Sequence, residues 1–283
     1  MKSRVYISGL FIIPGNPKRS PHHYFSLIRE SLRYAKDNTL YFFSNSNQTK
    51  EDLTKISQEF NIKLMWESLE IEELPVYSKL LENAPSIQIQ GFEHLHSNRL
   101  IFREKIFEHF FIDSKSGSDQ GTFQMMQAVW LSKIYLVNIA ITKENAAREF
   151  CWFDASVSRF EQRANSNFSQ IKINPERVHH YSSIMRFFGK RLPLNASVLM
   201  GSREAWLKLL PIYHEQLECL IHCGLPIDEE IVLMNCLSKF PELFDSIDKT
   251  SERTLLHKVI GRLLFPANGF ILRCLNYDER LLK

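Results

Sequence analysis

Acids set among apolar residues are the first candidates for chemistry in this chain. In EFCWFDASVSRF, Glu149 to Phe160, the carboxylate of Asp154 follows Cys-Trp-Phe and precedes Ser156 and Arg159. A carboxylate in such a run is costly to bury unless something pairs with it. At a strand end it would face the crevice where an α/β sheet binds ligands, and its oxygens could take a divalent ion. Arg159 could pair with Asp154 or meet a phosphate. The structural alternative is an aspartate that caps the following turn through Ser156. A second stretch, LMGSREAW, puts Gly201 and Ser202 between an apolar strand and a helix start, where backbone amides can approach an anionic or hydroxyl-rich ligand. The plain alternative is a turn capped by Ser202. A third, GLPIDEEIV, opens a helix with Asp228, Glu229 and Glu230. These acids can simply complement the helix dipole, or one can accept a proton from an attacking hydroxyl or bind a sugar. His257, in TLLHKVI, could close over a site as a metal ligand or phosphate contact.

Other signatures are missing. The sequence has no Gly-x-Gly-x-x-Gly, Walker loop, Gly-x-Ser-x-Gly or His-Glu-x-x-His, which argues against dinucleotide oxidoreductases, P-loop kinases, common hydrolases and zinc proteases. The pairs His22-His23 and His179-His180 are adjacent, so their side chains do not converge. The net charge of +3, with bases and acids interspersed, gives no nucleic-acid stripe. The five cysteines, at 151, 219, 223, 236 and 274, include no Cys-x-x-Cys and read as buried free thiols of a reducing cytoplasm. MKSRVYISGLFIIPG reads as a strand rather than a signal peptide, and no other segment reads as a membrane span.

The elements that must position these residues follow from periodicity. VYISGLFIIP, NTLYFFSN and IKLMWESL read as strands. Between them, SPHHYFSLIRESLRYAK (Ser20-Pro21 at its start) and TKEDLTKISQEFN (Thr49 as its cap) read as amphipathic helices. This alternation is what a parallel α/β sheet requires. A long helix, FQMMQAVWLSKIYLVNIAITK, carries Lys133 and leads into the strand before Asp154. ASVLMGS reads as a further strand, and REAWLKLLPIYHEQLECLIHCG as a helix kinked or broken at Pro211. Asp228 is the expected cap of the last helix. From 161 to 186 the chain shows no clear period.

The order of three segments carries a resemblance: WLSKIYLVNIA…FCWFDASVSRF, then VLMGSREAWLKLLPIYHEQL, then GLPIDEEIVLMNCLSKFPELF. Together with the opening strand-helix-strand they resemble bacterial GT-A type glycosyltransferases, and look closest to the HtrL/YibB-like group. The resemblance spans most of the chain and is weakest at 74–124 and beyond Phe244. It implies a Rossmann-like GT-A fold, a mixed, mostly parallel central sheet flanked by helices. It implies one domain over 1–283, with a nucleotide-binding part at 1–160 and an acceptor-side part at 161–283. The implied activity is transfer of a hexose from a nucleotide-sugar donor, UDP-linked, to a saccharide acceptor of a surface polysaccharide or lipooligosaccharide. The implied donor-site residues are Lys133, Asp154, Ser156, Arg159, Gly201 and Ser202, with Asp228 or Glu229 as the catalytic acid. A divalent metal, Mn or Mg, would rest on Asp154 and His257. Such enzymes commonly carry Asp-x-Asp, whereas position 156 is Ser; Arg159 could then neutralise the diphosphate without metal. The expected location is cytoplasmic, at the inner face of a membrane where a modestly basic surface could meet anionic lipid, with no transmembrane segment. A degenerate carbohydrate- or nucleotide-sugar-binding protein and a nucleotide-sugar hydrolase are the alternatives. Spacing does not choose between retention and inversion.

Overall fold

Side-chain alternation in the strands sets the architecture. The first strand sends Val5 and Ile7 to one face of a sheet and Tyr6 to the other, and all three are buried. The next does the same with Tyr41 and Phe43 against Leu40 and Phe42. Strands apolar on both faces need cover on both sides, which is the layered arrangement of a parallel α/β sheet. The computed structural model describes residues 4–16, 21–82, 120–160, 168–183, 186–187, 190–191, 194–221 and 227–248.

In chain order the elements are β1 (Arg4–Gly9), α1 (Pro21–Leu32), β2 (Thr39–Ser44), α2 (Asn47–Glu59), β3 (Lys63–Ser68) and α3 (Tyr77–Glu82). There follow α4 (Gln120–Lys143), β4 (Glu149–Phe153), β5 (Val178–Tyr181), β6 (Arg186–Phe187), β7 (Lys190–Arg191) and β8 (Asn195–Ser202). The described part closes with α5 (Arg203–Ile221), α6 (Glu229–Lys239) and β9 (Phe244–Ser246). Seven strands form one sheet in the order β3-β2-β1-β4-β8-β5-β9, and β6 with β7 makes a separate small hairpin. Every pairing in the large sheet is parallel except those that β8 makes with β4 and β5. The expected mixed, mostly parallel sheet between helices is therefore present.

One face carries the larger core, where Leu131, Ile134 and Val137 of α4 and Trp206, Leu209 and Tyr213 of α5 pack on Phe150 and Trp152. The other buries Ile28 and Leu32 of α1 and Leu53 of α2 with Tyr6, Phe42 and Phe153. Burial of most of its surface in the larger core explains why α4 is apolar nearly all round. Gly121–Lys143 is in fact long and apolar enough to cross a membrane by composition, contrary to the reading above, but 61% of its most apolar window is buried in the fold.

Two local expectations change. Ser46 rather than Thr49 caps α2, its hydroxyl accepting from the Thr49 N–H at 3.3 Å, and Thr49 lies inside the helix. Helix α5 continues through Pro211, without the break that was one of the two expectations there. Proline there removes the hydrogen bond to the Leu207 carbonyl, but Leu207 and Pro211 are both exposed, so water can serve that carbonyl.

The antiparallel run of β8 decides which residues meet. Phe153 stands opposite Val198, and Glu149 opposite Ser202. The start of β8, with Asn195 and Ser197, thus lies beside Asp154, whose N–H donates to the Ser197 carbonyl at 2.9 Å. The end of β8 lies at the opposite edge of the sheet.

Candidate functional site

A cleft of about 350 Å³ opens at the carboxyl ends of β1 and β4. This is the edge of an open α/β sheet where strand ends expose polar groups to ligand. Gly9, Phe11 and Ile13 form one wall, and Asn45 fixes it by accepting from Ile12 N at 2.8 Å and donating to Ile12 O at 3.0 Å. Met126, Val129, Trp130, Lys133 and Leu136 form another. Their spacing of three and four residues is one stripe of α4, and Lys133 is its cation.

The ammonium of Lys133 is the hub. It donates to Asp154 Oδ1 at 2.7 Å and to Glu229 Oε1 at 2.5 Å, and its side chain is only 7% exposed. Trp152 Nε1–H also donates to Asp154 Oδ1 at 3.2 Å, and Arg159 reaches Asp154 Oδ2 at 3.4 Å. Arg159 further donates to the Ser156 carbonyl at 3.2 Å and to its hydroxyl, and lies over the Phe160 ring. A bare carboxylate here would be expensive, and two cations with an indole N–H answer that cost.

The charge states follow. Burial opposes ionisation of Asp154, but Lys133 and Arg159 outweigh it and hold its carboxyl down at about 2. Burial also opposes the Lys133 charge, and the two carboxylates overcome that, so its pKa is raised. For Glu229 burial is the largest influence, and the neighbouring Asp228, Glu230 and Asp154 add to it against Lys133, so its carboxyl is pushed up to about 7. Two acids sharing one ammonium thus have opposite characters: Asp154 is a fixed anion and Glu229 a group able to exchange a proton near neutrality.

The three acids at the start of α6 divide their work. Asp228 caps the helix, Oδ1 accepting from Ile231 N at 3.0 Å. Glu230 ties α6 to β8, accepting from Asn195 Nδ2 at 2.7 Å and Ala196 N at 3.2 Å. Glu229 alone of the three pairs with Lys133.

The sequence-predicted residues therefore separate. Lys133, Asp154, Ser156, Arg159, Asp228 and Glu229 all line the cleft. Gly201 and Ser202 do not: β8 runs antiparallel, placing them roughly 13 and 16 Å along the strand from Asp154 at ~3.3 Å per residue. Ser202 instead accepts from Ala205 N at 3.0 Å and donates to the Pro175 carbonyl, as a helix cap. Gly201 makes room for Trp206, since a Cβ there would stand 3.2 Å from the indole nitrogen. His257 lies outside the described residues. Sequence reasoning missed the β1 wall, Tyr24, Trp130, Asn195 and Ser197. Only the stripe through Lys133 offered a signal for Trp130.

The described donor set does not match a preformed divalent-metal centre. Both oxygens of Asp154 already face cations, and a metal on either would lie within a few ångströms of Lys133 and Arg159, where repulsion is on the order of 4 kcal/mol per unit charge at 4 Å and an effective dielectric of about 20. The neighbouring Ser156 hydroxyl accepts from Arg159. No three His, Cys, Asp or Glu groups converge among the described residues.

No family model matches the chain, and no curated protein matches it. Solved structures similar to it include a glycosyltransferase involved in glycosylating the major capsid of PBCV-1, at 11% identity and TM-score 0.40, over 86% of this chain and 80% of that one. Another is the glycosyltransferase GlyE of Streptococcus pneumoniae, at 10% identity and TM-score 0.40, over 87% of this chain but only 45% of that one. A third is core-mannan synthase A of Aspergillus fumigatus in its Mn/GDP form, at 11% identity and TM-score 0.45, over 87% and 73%. Likeness at this level assigns no activity, donor or site residue to this chain.

Proposed function

We propose that this chain is a GT-A type glycosyltransferase, moving a sugar from a nucleotide donor to a saccharide acceptor across this cleft. The observation that carries the reading is the Asp154–Lys133–Glu229 bridge at the carboxyl edge of the sheet, a fixed anion and a proton-exchanging acid on opposite walls joined by one buried ammonium. The sequence resemblance supports it by placing a donor-binding aspartate and a catalytic acid at these positions.

Asp154 accepts hydrogen bonds from donor hydroxyls, and Arg159 and Lys133 offset the charge gathering on the diphosphate leaving group. Glu229 takes the proton of the acceptor hydroxyl as its oxygen bonds to the anomeric carbon. The bond from that carbon to the diphosphate oxygen breaks, and nucleoside diphosphate departs with the bonding pair. This single displacement inverts the anomeric centre. Asp228 and Glu230 hold α6 and β8, so of the two expected catalytic acids Glu229 is the base. A hexose on UDP is the donor expected first, and the acceptor is a polysaccharide or oligosaccharide presented at a membrane surface.

The test is incubation of the chain with UDP- and GDP-linked hexoses, with and without oligosaccharide acceptors, following nucleotide release and the product's anomeric configuration. Acceptor-dependent release with inversion supports the reading. Equal release without acceptor would make the protein a hydrolase, binding without release would make it a degenerate binding protein, and neither binding nor release with any donor would overturn the enzyme reading.

A further inference from the structure

Two side-chain cations stand where such a site would need a metal, and that departure carries an inference of its own. It rests on reading the cleft as a nucleotide-sugar site. Lys133 stands on the wall of the cleft between the donor-side and acceptor-side acids, so an ion held by Asp154 or Glu229 would lie against its ammonium. Beside it, Ser156 brings a neutral hydroxyl, and that hydroxyl accepts from Arg159. The edge of the cleft next to Asp154 is thereby occupied by a guanidinium that is 28% exposed and packed on Phe160. A guanidinium has five N–H donors in a planar fork suited to phosphate oxygens, while the acceptors it meets here are Ser156 O, Ser156 Oγ and Asp154 Oδ2. Asp228 and Glu230 are each turned to backbone N–H groups, of Ile231 and Ala196, with the start of α6 offsetting their charge.

We propose that the donor's diphosphate is bound in this cleft by Lys133 and Arg159 without a divalent cation, Lys133 serving as the built-in bridge between Asp154 and Glu229.

The experiment is calorimetric titration of the full chain with UDP and with GDP, in EDTA and again in Mn²⁺ or Mg²⁺. The expected result is the same Kd in both buffers. Lys133→Met and Arg159→Met should each weaken nucleotide at least about tenfold in EDTA. Thermal melts check that each variant is folded, and the part-exposed Arg159 position keeps the test available if Lys133→Met does not fold. Binding that appears only with metal, or is tightened about tenfold or more by it, overturns the proposal while leaving the glycosyltransferase reading intact. Absence of nucleotide binding in every buffer overturns both.

Discussion

Lys133 and Glu229 meet across the cleft at 2.5 Å, an ammonium from the middle of α4 against a carboxylate from the first turn of α6. The same ammonium reaches Asp154 at the end of β4 at 2.7 Å. Helix α4, the strand that follows it and the distant α6 are thereby joined at one nitrogen, which makes the site's behaviour sensitive to each of them.

The proton state of Glu229 sets the first prediction. Its carboxyl is raised to about 7 by burial, so the basic form is filled as pH rises through that region. Transfer measured as kcat/KM should climb about tenfold per pH unit below about 7 and level off above it. Glu229→Gln should lower kcat by about 10²–10⁴ and remove that limb. For stability the sign is opposite. A raised acid favours the folded state while protonated, so its contribution is complete below the ordinary carboxylate pKa and is lost as pH rises toward about 7. Urea titrations of wild type and Glu229→Gln between these limits should diverge as pH rises.

Asp154 behaves the other way. Its carboxyl is held down at about 2, so it stabilises the fold above the ordinary aspartate value and loses that contribution as pH falls toward 2. Asp154→Asn leaves Lys133 and Arg159 short of a counter-charge and should cost about 3–5 kcal/mol in denaturant unfolding, the range for breaking a buried pair from one side.

Gly201 and Ser202 should affect folding and leave the chemistry alone. Gly201→Ala brings a Cβ to 3.2 Å from the Trp206 indole nitrogen, whose N–H is committed to the Phe150 carbonyl at 3.1 Å, so the ring has little freedom to give. A loss of about 1–3 kcal/mol is expected. Ser202→Ala removes the α5 cap at about 1 kcal/mol. In both, nucleotide affinity per folded molecule should match wild type, and a specific loss of affinity would return these residues to the site.

A second buried pair lies away from the cleft. Arg4 donates to Glu149 Oε2 at 2.8 Å and to the backbone carbonyls of Phe168 and Ile171, docking the 168–171 segment under the sheet. Arg4→Met should destabilise by about 3–5 kcal/mol, because Glu149 stays buried with the Arg4 guanidinium gone. Activity of the molecules still folded should be unchanged.

The parallel half of the sheet was legible because β1 to β3 are strand-like runs separated by amphipathic helices, and β4 is an apolar run after one long helix. That Asp154, Lys133 and the acids at the start of α6 share one cleft was expected from their order along the chain and the resemblance it carries. What did not show was direction. Nothing in ASVLMGS says that β8 runs antiparallel, yet that alone moves Gly201 and Ser202 to the far edge and brings Asn195 and Ser197 to the cleft. The short β5 and β9 were unread because VHHY and FDS have too few residues to show a period, and their pairing is a tertiary effect. The division of labour among Asp228, Glu229 and Glu230 was also invisible, since three adjacent acids differ only in what each meets.

The central claim is that one cleft binds a nucleotide sugar through Asp154 and performs transfer through Glu229. It is tested most directly by measuring equilibrium binding of UDP- and GDP-hexoses to wild type, Asp154→Ala and Glu229→Gln, alongside transfer by the same samples. The account predicts that Asp154→Ala loses donor binding, while Glu229→Gln still binds donor and no longer transfers. Asp154→Ala binding the donor as wild type does would contradict it.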